Sequence, residues 1–90
     1  MSKANRLYVG NLAFTADKRD LRALFAMAGR VLDVYTPFQD NQEGSVRKKN
    51  RGYGFIEMGT EEEAIRAIEM FDGEGLIRGR VITVKHADKR

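Results

Sequence analysis

Apolar residues recur along this chain with two periods, and the changes between them predict its elements. Leu7-Tyr8-Val9-Gly10-Asn11-Leu12 alternates with period two, Leu7 and Val9 on one face and Tyr8 on the other, and reads as a buried strand ended by the turn formers Gly10 and Asn11. Leu21, Leu24, Phe25 and Ala28 then fall at i, i+3, i+4 and i+7, the spacing of an amphipathic helix. Thr15 is expected as its cap, Asp17 in its first turn and Gly29 just past its end. Val31 to Thr36 predicts a second strand, with Val31 and Val34 inward and Tyr35 opposite, and Pro37 suits an edge position where its missing N–H breaks no ladder. Phe38 is expected to cap the core, and 40–50 is a long polar connection. After a third strand, Arg51 to Met58, Thr60 and Glu63 have capping-box spacing, and Ala64, Ala67, Ile68 and Phe71 repeat the helical face. Asp72 to Gly75 ends that helix, Ile77 to Arg80 predicts a tight turn, and Val81 to Lys85 a last strand with Ile82 and Val84 inward.

The order is strand, helix, strand, strand, helix, strand. Two such halves in 90 residues predict one α+β domain of the ferredoxin-like βαββαβ class, a four-stranded antiparallel sheet with both helices on one face and the other face open. Residues 1–5 are expected to form a short arm and residues 6–88 the domain.

The third strand is the unusual one. Alternation places Arg51, Tyr53, Phe55 and Glu57 on one face and Gly52, Gly54, Ile56 and Met58 on the other, so two aromatic rings share a face with two charges. Inverting the faces would bury Arg51 and Glu57 and expose Leu7, Val9 and Ile56, which the cost of burying charge disfavours. The aromatic face is therefore read as open, built either for a protein contact or for stacking flat ligands. Both glycines, Gly52 and Gly54, are expected to allow close helix packing beneath the sheet.

Charge sharpens this. The net charge is +3, and Arg47, Lys48, Lys49 and Arg51 lead into the aromatic strand with no acidic residue among them, which favours an anionic partner. No cysteine and a single histidine, His86, exclude thiolate chemistry, disulfides and a Cys- or His-built metal centre within one chain, and neither a metal nor another cofactor is expected. With no apolar run near the roughly 20 residues of a membrane span and no secretory leader, a soluble cytoplasmic protein is expected, with the nucleus as the alternative for a eukaryotic source.

These residues resemble the RNA recognition motif family. Leu7 to Leu12 matches the family's hexamer (aliphatic, aromatic, aliphatic, any, Asn, Leu) at every specified position, and Arg51 to Met58 matches its octamer except at Met58, where the family has an aromatic. Since Met58 lies on the core side, that departure is a packing change and not the loss of a stacking ring. The resemblance runs from Arg6 to Asp88, and a chain this short resembles the small single-domain RNA-binding proteins of bacteria. It implies that the first and third strands are central neighbours, that Tyr8 and Tyr53 stack successive bases, that Phe55 lies against sugars and that Arg51 pairs with a phosphate.

The resulting expectation is a non-enzymatic monomer that binds single-stranded RNA, with no membrane and no small-molecule substrate as partner. Its candidate contacts are Tyr8, Tyr53, Phe55 and Arg51, then Lys85, Arg47, Lys48 and Lys49 toward phosphates, and Tyr35 extending the platform from an edge strand. Asn11 is assigned first to its turn and second to ligand. The rivals are a protein-interaction module on the same fold, which typically lacks the aromatic platform, a small acylphosphatase-type enzyme, which needs a phosphate-cradling loop absent here, and binding of single-stranded DNA, since stacking does not depend on the 2′-hydroxyl.

Overall fold

The computed structural model of the protein describes residues 5–37 and 51–87. The expectations for Phe38, for the 40–50 connection and for residues 1–4 lie outside them. In chain order the elements are β1 (Arg6–Gly10), α1 (Lys18–Phe25), β2 (Val31–Tyr35), β3 (Gly54–Met58), α2 (Glu61–Phe71), β4 (Leu76–Ile77), β5 (Arg80–Val81) and β6 (Thr83–His86). Strands β2, β3, β1 and β6 form, in that spatial order, one antiparallel sheet, and β4 and β5 pair separately as a hairpin. This is the α+β, ferredoxin-like plan expected from the pattern, with β1 and β3 central.

The core lies on one side of the sheet. Leu7, Val9, Val34, Ile56, Met58 and Val84 point from the strands onto Leu21 and Phe25 of α1 and Ala64, Ala67 and Phe71 of α2, all buried. The rings of Phe25 and Phe71 meet edge to face at 5.1 Å, joining the two helices. Fully burying such side chains stabilises by about 1.5 to 3 kcal/mol each, so this layer dominates the fold's stability. Met58 is fully buried, in keeping with its expected packing role. Val31 and Val34 both face the core despite their odd separation because the β2–β3 register shifts between Val31 and Asp33, a bulge that turns a three-residue step to the same side.

Several local expectations need correction. The cap of α1 is Asp17 and not Thr15, because the helix starts only at Lys18. Asp17 accepts from the Asp20 N–H at 3.1 Å while the Asp20 carboxylate accepts from the Asp17 N–H at 3.0 Å, an aspartate version of the reciprocal capping box. Gly29 is no left-handed helix stop. The helix ends at Phe25 with Ala26 in right-handed conformation, and Gly29 instead admits α2, since a Cβ there would lie 2.5 Å from Cγ of Glu63. Only the Thr60 half of the second capping box is present as expected, its hydroxyl accepting from the Glu63 N–H at 3.1 Å, while the Glu63 side chain lies against Gly29 and Gly59.

The last strand begins at Thr83 and not at Val81, because Leu76 to Val81 forms the additional hairpin. Its turn residues Arg78 and Gly79 have φ of 53° and 83°, the two left-handed positions of the hairpin turn whose twist matches its strands. The hairpin tip is tied to α1 by the Arg78 Nε to Asp20 Oδ2 ion pair at 2.9 Å. Burial works to raise the Asp20 pKa, but the hydrogen bond from the Asp17 N–H, the bond and charge of Arg78 and the charge of Arg19 together hold the carboxyl below its ordinary value. At the sheet edge the Asp72 carboxylate accepts from the Val84 N–H at 2.9 Å, so the end of α2 covers part of the outer edge of β6. Asn5, expected in the arm, is clasped to Met58 by bonds of 2.8 and 2.6 Å in opposite senses. Among the described residues no helix is long and apolar enough to cross a membrane.

Candidate functional site

Strand register assembles the open face. Tyr35 lies opposite Phe55 across β2 and β3, Phe55 opposite Tyr8 across β3 and β1, and Tyr8 opposite Lys85 across β1 and β6. One row therefore crosses the whole sheet as Tyr35, Phe55, Tyr8 and Lys85. Their neighbours Val34, Ile56, Leu7, Val9 and Val84 are buried, so the row sits on the side away from the helices.

The rings form a continuous cluster. Tyr8 stacks on Tyr53 with centroids 6.0 Å apart and planes at 24°, and meets Phe55 edge-on at 5.8 Å. Tyr53 and Phe55 are also edge-on at 5.8 Å, and Tyr35 stacks on Phe55 at 6.4 Å and 20°. Lys85 holds its Nζ 5.7 Å from the Tyr8 ring centre, a cation–π geometry. Each ring pair contributes about 0.5 to 1.5 kcal/mol beyond area burial, which holds the rings against one another in an open surface. Tyr35 is 57% exposed and continues the cluster onto the edge strand.

The posture of Tyr8 depends on a residue that the alternation pattern marks only as a turn former. A Cβ on Gly10 would lie 2.8 Å from Cε2 of Tyr8, 2.9 Å from its hydroxyl and 2.8 Å from Oγ1 of Thr83, so the ring lies back over the bare Gly10 backbone. The two glycines before Phe55 divide differently from the expectation. Gly54 does serve close packing, with a Cβ there 3.0 Å from the Tyr35 carbonyl and 3.4 Å from Leu21 of α1. Gly52 does not. Its φ of 95° takes it out of extended conformation, so β3 begins only at Gly54 and the octamer is not one continuous strand.

Arg51 consequently precedes β3. It is exposed, with its N–H donating to the Pro37 carbonyl at 3.0 Å. Asn11, at φ 56°, turns the chain out of β1, donates from Nδ2 to the Val81 carbonyl at 2.6 Å and accepts from Arg80 at 2.6 Å, so its side chain is engaged by the hairpin. Arg47, Lys48 and Lys49 lie outside the described residues. Next to the aromatic row, register aligns Asp33, Glu57 and Arg6, a polar row of mixed charge.

Two side chains absent from the sequence-derived set line a cleft with Asn11, Leu12 and Gly52, the last of these next to Tyr53 in the chain. Phe14 is 55% exposed beside Gly52, and Arg80 is brought in by the hairpin. Phe14 carried one signal, an aromatic outside both the strand and helix periods. Arg80 carried none, because its position depends on contacts some seventy residues apart in sequence.

Known proteins resemble this chain in sequence and in fold. The model of the family described as RNA recognition motif matches residues 7–83. The chain is 40% identical over 87 residues to the 29 kDa chloroplastic ribonucleoprotein A of Nicotiana sylvestris, covering 97% of this chain and 30% of that protein. It thus spans less than a third of that relative's length. It is 40% identical over 84 residues to RbpB of Nostoc sp., a protein named for RNA binding, covering 93% of this chain and 76% of that one. Among solved structures, the Sex-lethal protein in complex with RNA superposes with a TM-score of 0.78 at 26% identity, covering 94% of this chain and 48% of that chain.

Proposed function

This chain belongs to the RNA recognition motif family, and on that premise we propose that it binds short single-stranded RNA, without catalysis, on the open face of its sheet. The observation that carries the reading is the ring cluster of Tyr8, Tyr53 and Phe55 on the side of the sheet away from α1 and α2. Rings held against one another in solvent present π-faces to any base, and every base has one. The names of the relatives and the RNA bound by Sex-lethal point the same way.

In this reading Tyr8 and Tyr53 each stack a base, Phe55 lies between them against the sugars and Tyr35 extends the platform toward β2. Stacking contributes about 1 to 3 kcal/mol per base, so two bases supply about 2 to 6 before the cost of ordering the strand. Useful affinity then requires phosphate contacts from Lys85, Arg51 and the Arg47-Lys48-Lys49 run. Each phosphate neutralised steepens the fall of affinity with salt by about 0.7 in logarithmic slope. In the neighbouring row Asp33 and Glu57 offer acceptors to base amino groups, with Arg6 beside Glu57.

The test is fluorescence anisotropy with a labelled random single-stranded RNA pool. Tyr53→Ala and Phe55→Ala are expected to weaken binding at least about fivefold, the low end of one stacked base, with unchanged circular dichroism. If both variants bind as the parent does, the ring cluster is not the RNA site.

A further inference from the structure

Next to Tyr53 in the chain, Asn11, Leu12, Phe14, Gly52 and Arg80 line a cleft of about 160 Å³. We propose that this cleft is a further nucleotide site, taking one base against the Phe14 ring and the adjoining phosphate at the Arg80 guanidinium; the proposal rests on the RNA-binding reading above.

Three observations carry it. The first is an aromatic ring that the core does not use. Phe14 keeps 55% of its surface exposed, and beside it lies bare backbone, since a Cβ on Gly52 would lie 3.4 Å from its Cε1. The second is an arginine held in place before any ligand arrives. Arg80 donates from one amino nitrogen to Oδ1 of Asn11 at 2.6 Å, Asn11 in turn donates to the Val81 carbonyl at 2.6 Å, and the Arg78 to Asp20 ion pair anchors the hairpin tip to α1. A guanidinium carries five N–H donors, and among the described residues Asn11 takes one through its side chain, so the fixed group retains donors for a phosphate or a base edge. Asn11, left-handed at the end of β1, is then a positioning residue for Arg80.

The third is size and continuity. Pockets for drug-sized ligands run from about 300 to 1,000 Å³, so a cleft of this volume suits one flat ring and not a whole cofactor. It also opens beside Gly52, the residue before Tyr53, so the cleft adjoins the ring cluster along the chain. An exposed ring beside a fixed cation is the pairing that single-stranded nucleic acid recognises, the ring for the base and the cation for the backbone.

The experiment uses random single-stranded RNA pools of increasing length, from three to seven nucleotides, with the full chain. For the parent, affinity is expected to rise at least about fivefold when the pool becomes long enough to pass Tyr53, and amide shifts at Leu12, Phe14 and Gly52 and the side-chain Nε signal of Arg80 are expected to move only with those longer pools. Phe14→Ala and Arg80→Gln are each expected to abolish the increment while binding the shortest pools as the parent does. The shift pattern needs no variant, so it remains decisive if a substitution unfolds the protein. A length series with no increment and no movement at Phe14, Gly52 or Arg80 overturns the proposal while leaving the platform intact. Failure of the shortest pools to bind at all overturns instead the RNA-binding reading on which it rests.

Discussion

Gly10→Ala is a one-carbon change with a functional consequence that ordinary strand preference does not foresee. The new Cβ would meet Cε2 and the hydroxyl of Tyr8 at 2.8 and 2.9 Å and Oγ1 of Thr83 at 2.8 Å, distances too short to persist. These are ends of rotatable side chains and not backbone, so the ring swings off its place and the sheet remains. The stability account is modest. Losing the contacts of Tyr8 with Tyr53 and with Phe55 costs about 0.5 to 1.5 kcal/mol each. The lower entropy of the unfolded alanine chain offsets about 0.4 to 1 kcal/mol of that. A net loss of no more than about 2 to 3 kcal/mol leaves the protein folded against a typical stability of about 5 to 15. Binding suffers more, because a displaced Tyr8 forfeits one stacked base, about 1 to 3 kcal/mol, or about fivefold to about 150-fold in Kd. Anisotropy titrations of the parent, Gly10→Ala, Tyr8→Ala and the double variant form a cycle. If the alanine acts through Tyr8, the double variant binds no worse than Tyr8→Ala alone. Parent-like affinity for Gly10→Ala, or full additivity in the double variant, would refute the link between this glycine and the ring.

Other expectations follow from the same contacts. Gly29→Ala sets a Cβ 2.5 Å from Cγ of Glu63 and should lower stability by about 1 to 3 kcal/mol, an overpacking cost read as an earlier urea midpoint and partly recovered by adding Glu63→Ala; an unmoved midpoint contradicts the close approach of α2. Because the folded-state pKa of Asp20 lies below its ordinary value of 3.8, its bond from the Asp17 N–H and its pairing with Arg78 contribute stability present above that value and lost as pH falls below it. Urea melts at pH 6 and pH 3 should therefore show a smaller acid loss for Asp20→Asn than for the parent, and equal losses would remove Asp20 from the account.

The parts of the molecule legible in sequence were those set by period. Alternation in Leu7 to Val9 and in Phe55 to Met58 placed every one of those side chains on its observed face, and both helical stripes face the core as spaced, with Leu24 and Ile68 only partly buried. What escaped was set by contacts and by single backbone angles. Gly52 sits in a row of alternating residues, yet its φ of 95° breaks the strand, and Gly29 follows a helix as a stop would but serves a contact with Glu63. Asp17 outcompeted Thr15 as the cap because a second aspartate three residues on could reciprocate. The hairpin from Leu76 to Val81 is too short to show a period, so its delivery of Arg80 to Asn11 is visible only in three dimensions. Tyr35 gained weight in the opposite way, since exposure on an edge strand reads as mere strand preference until Phe55 is found stacked beside it.

Whether RNA lies on the ring row is read by titrating the isotope-labelled protein with short single-stranded RNA while following backbone amide and aromatic ring signals. The largest shifts are expected at Tyr8, Tyr35, Tyr53, Phe55 and Lys85, with the outer surfaces of α1 and α2 unmoved. Shifts concentrated on helix residues such as Ile65 and Met70, with the ring signals unchanged, would contradict that placement.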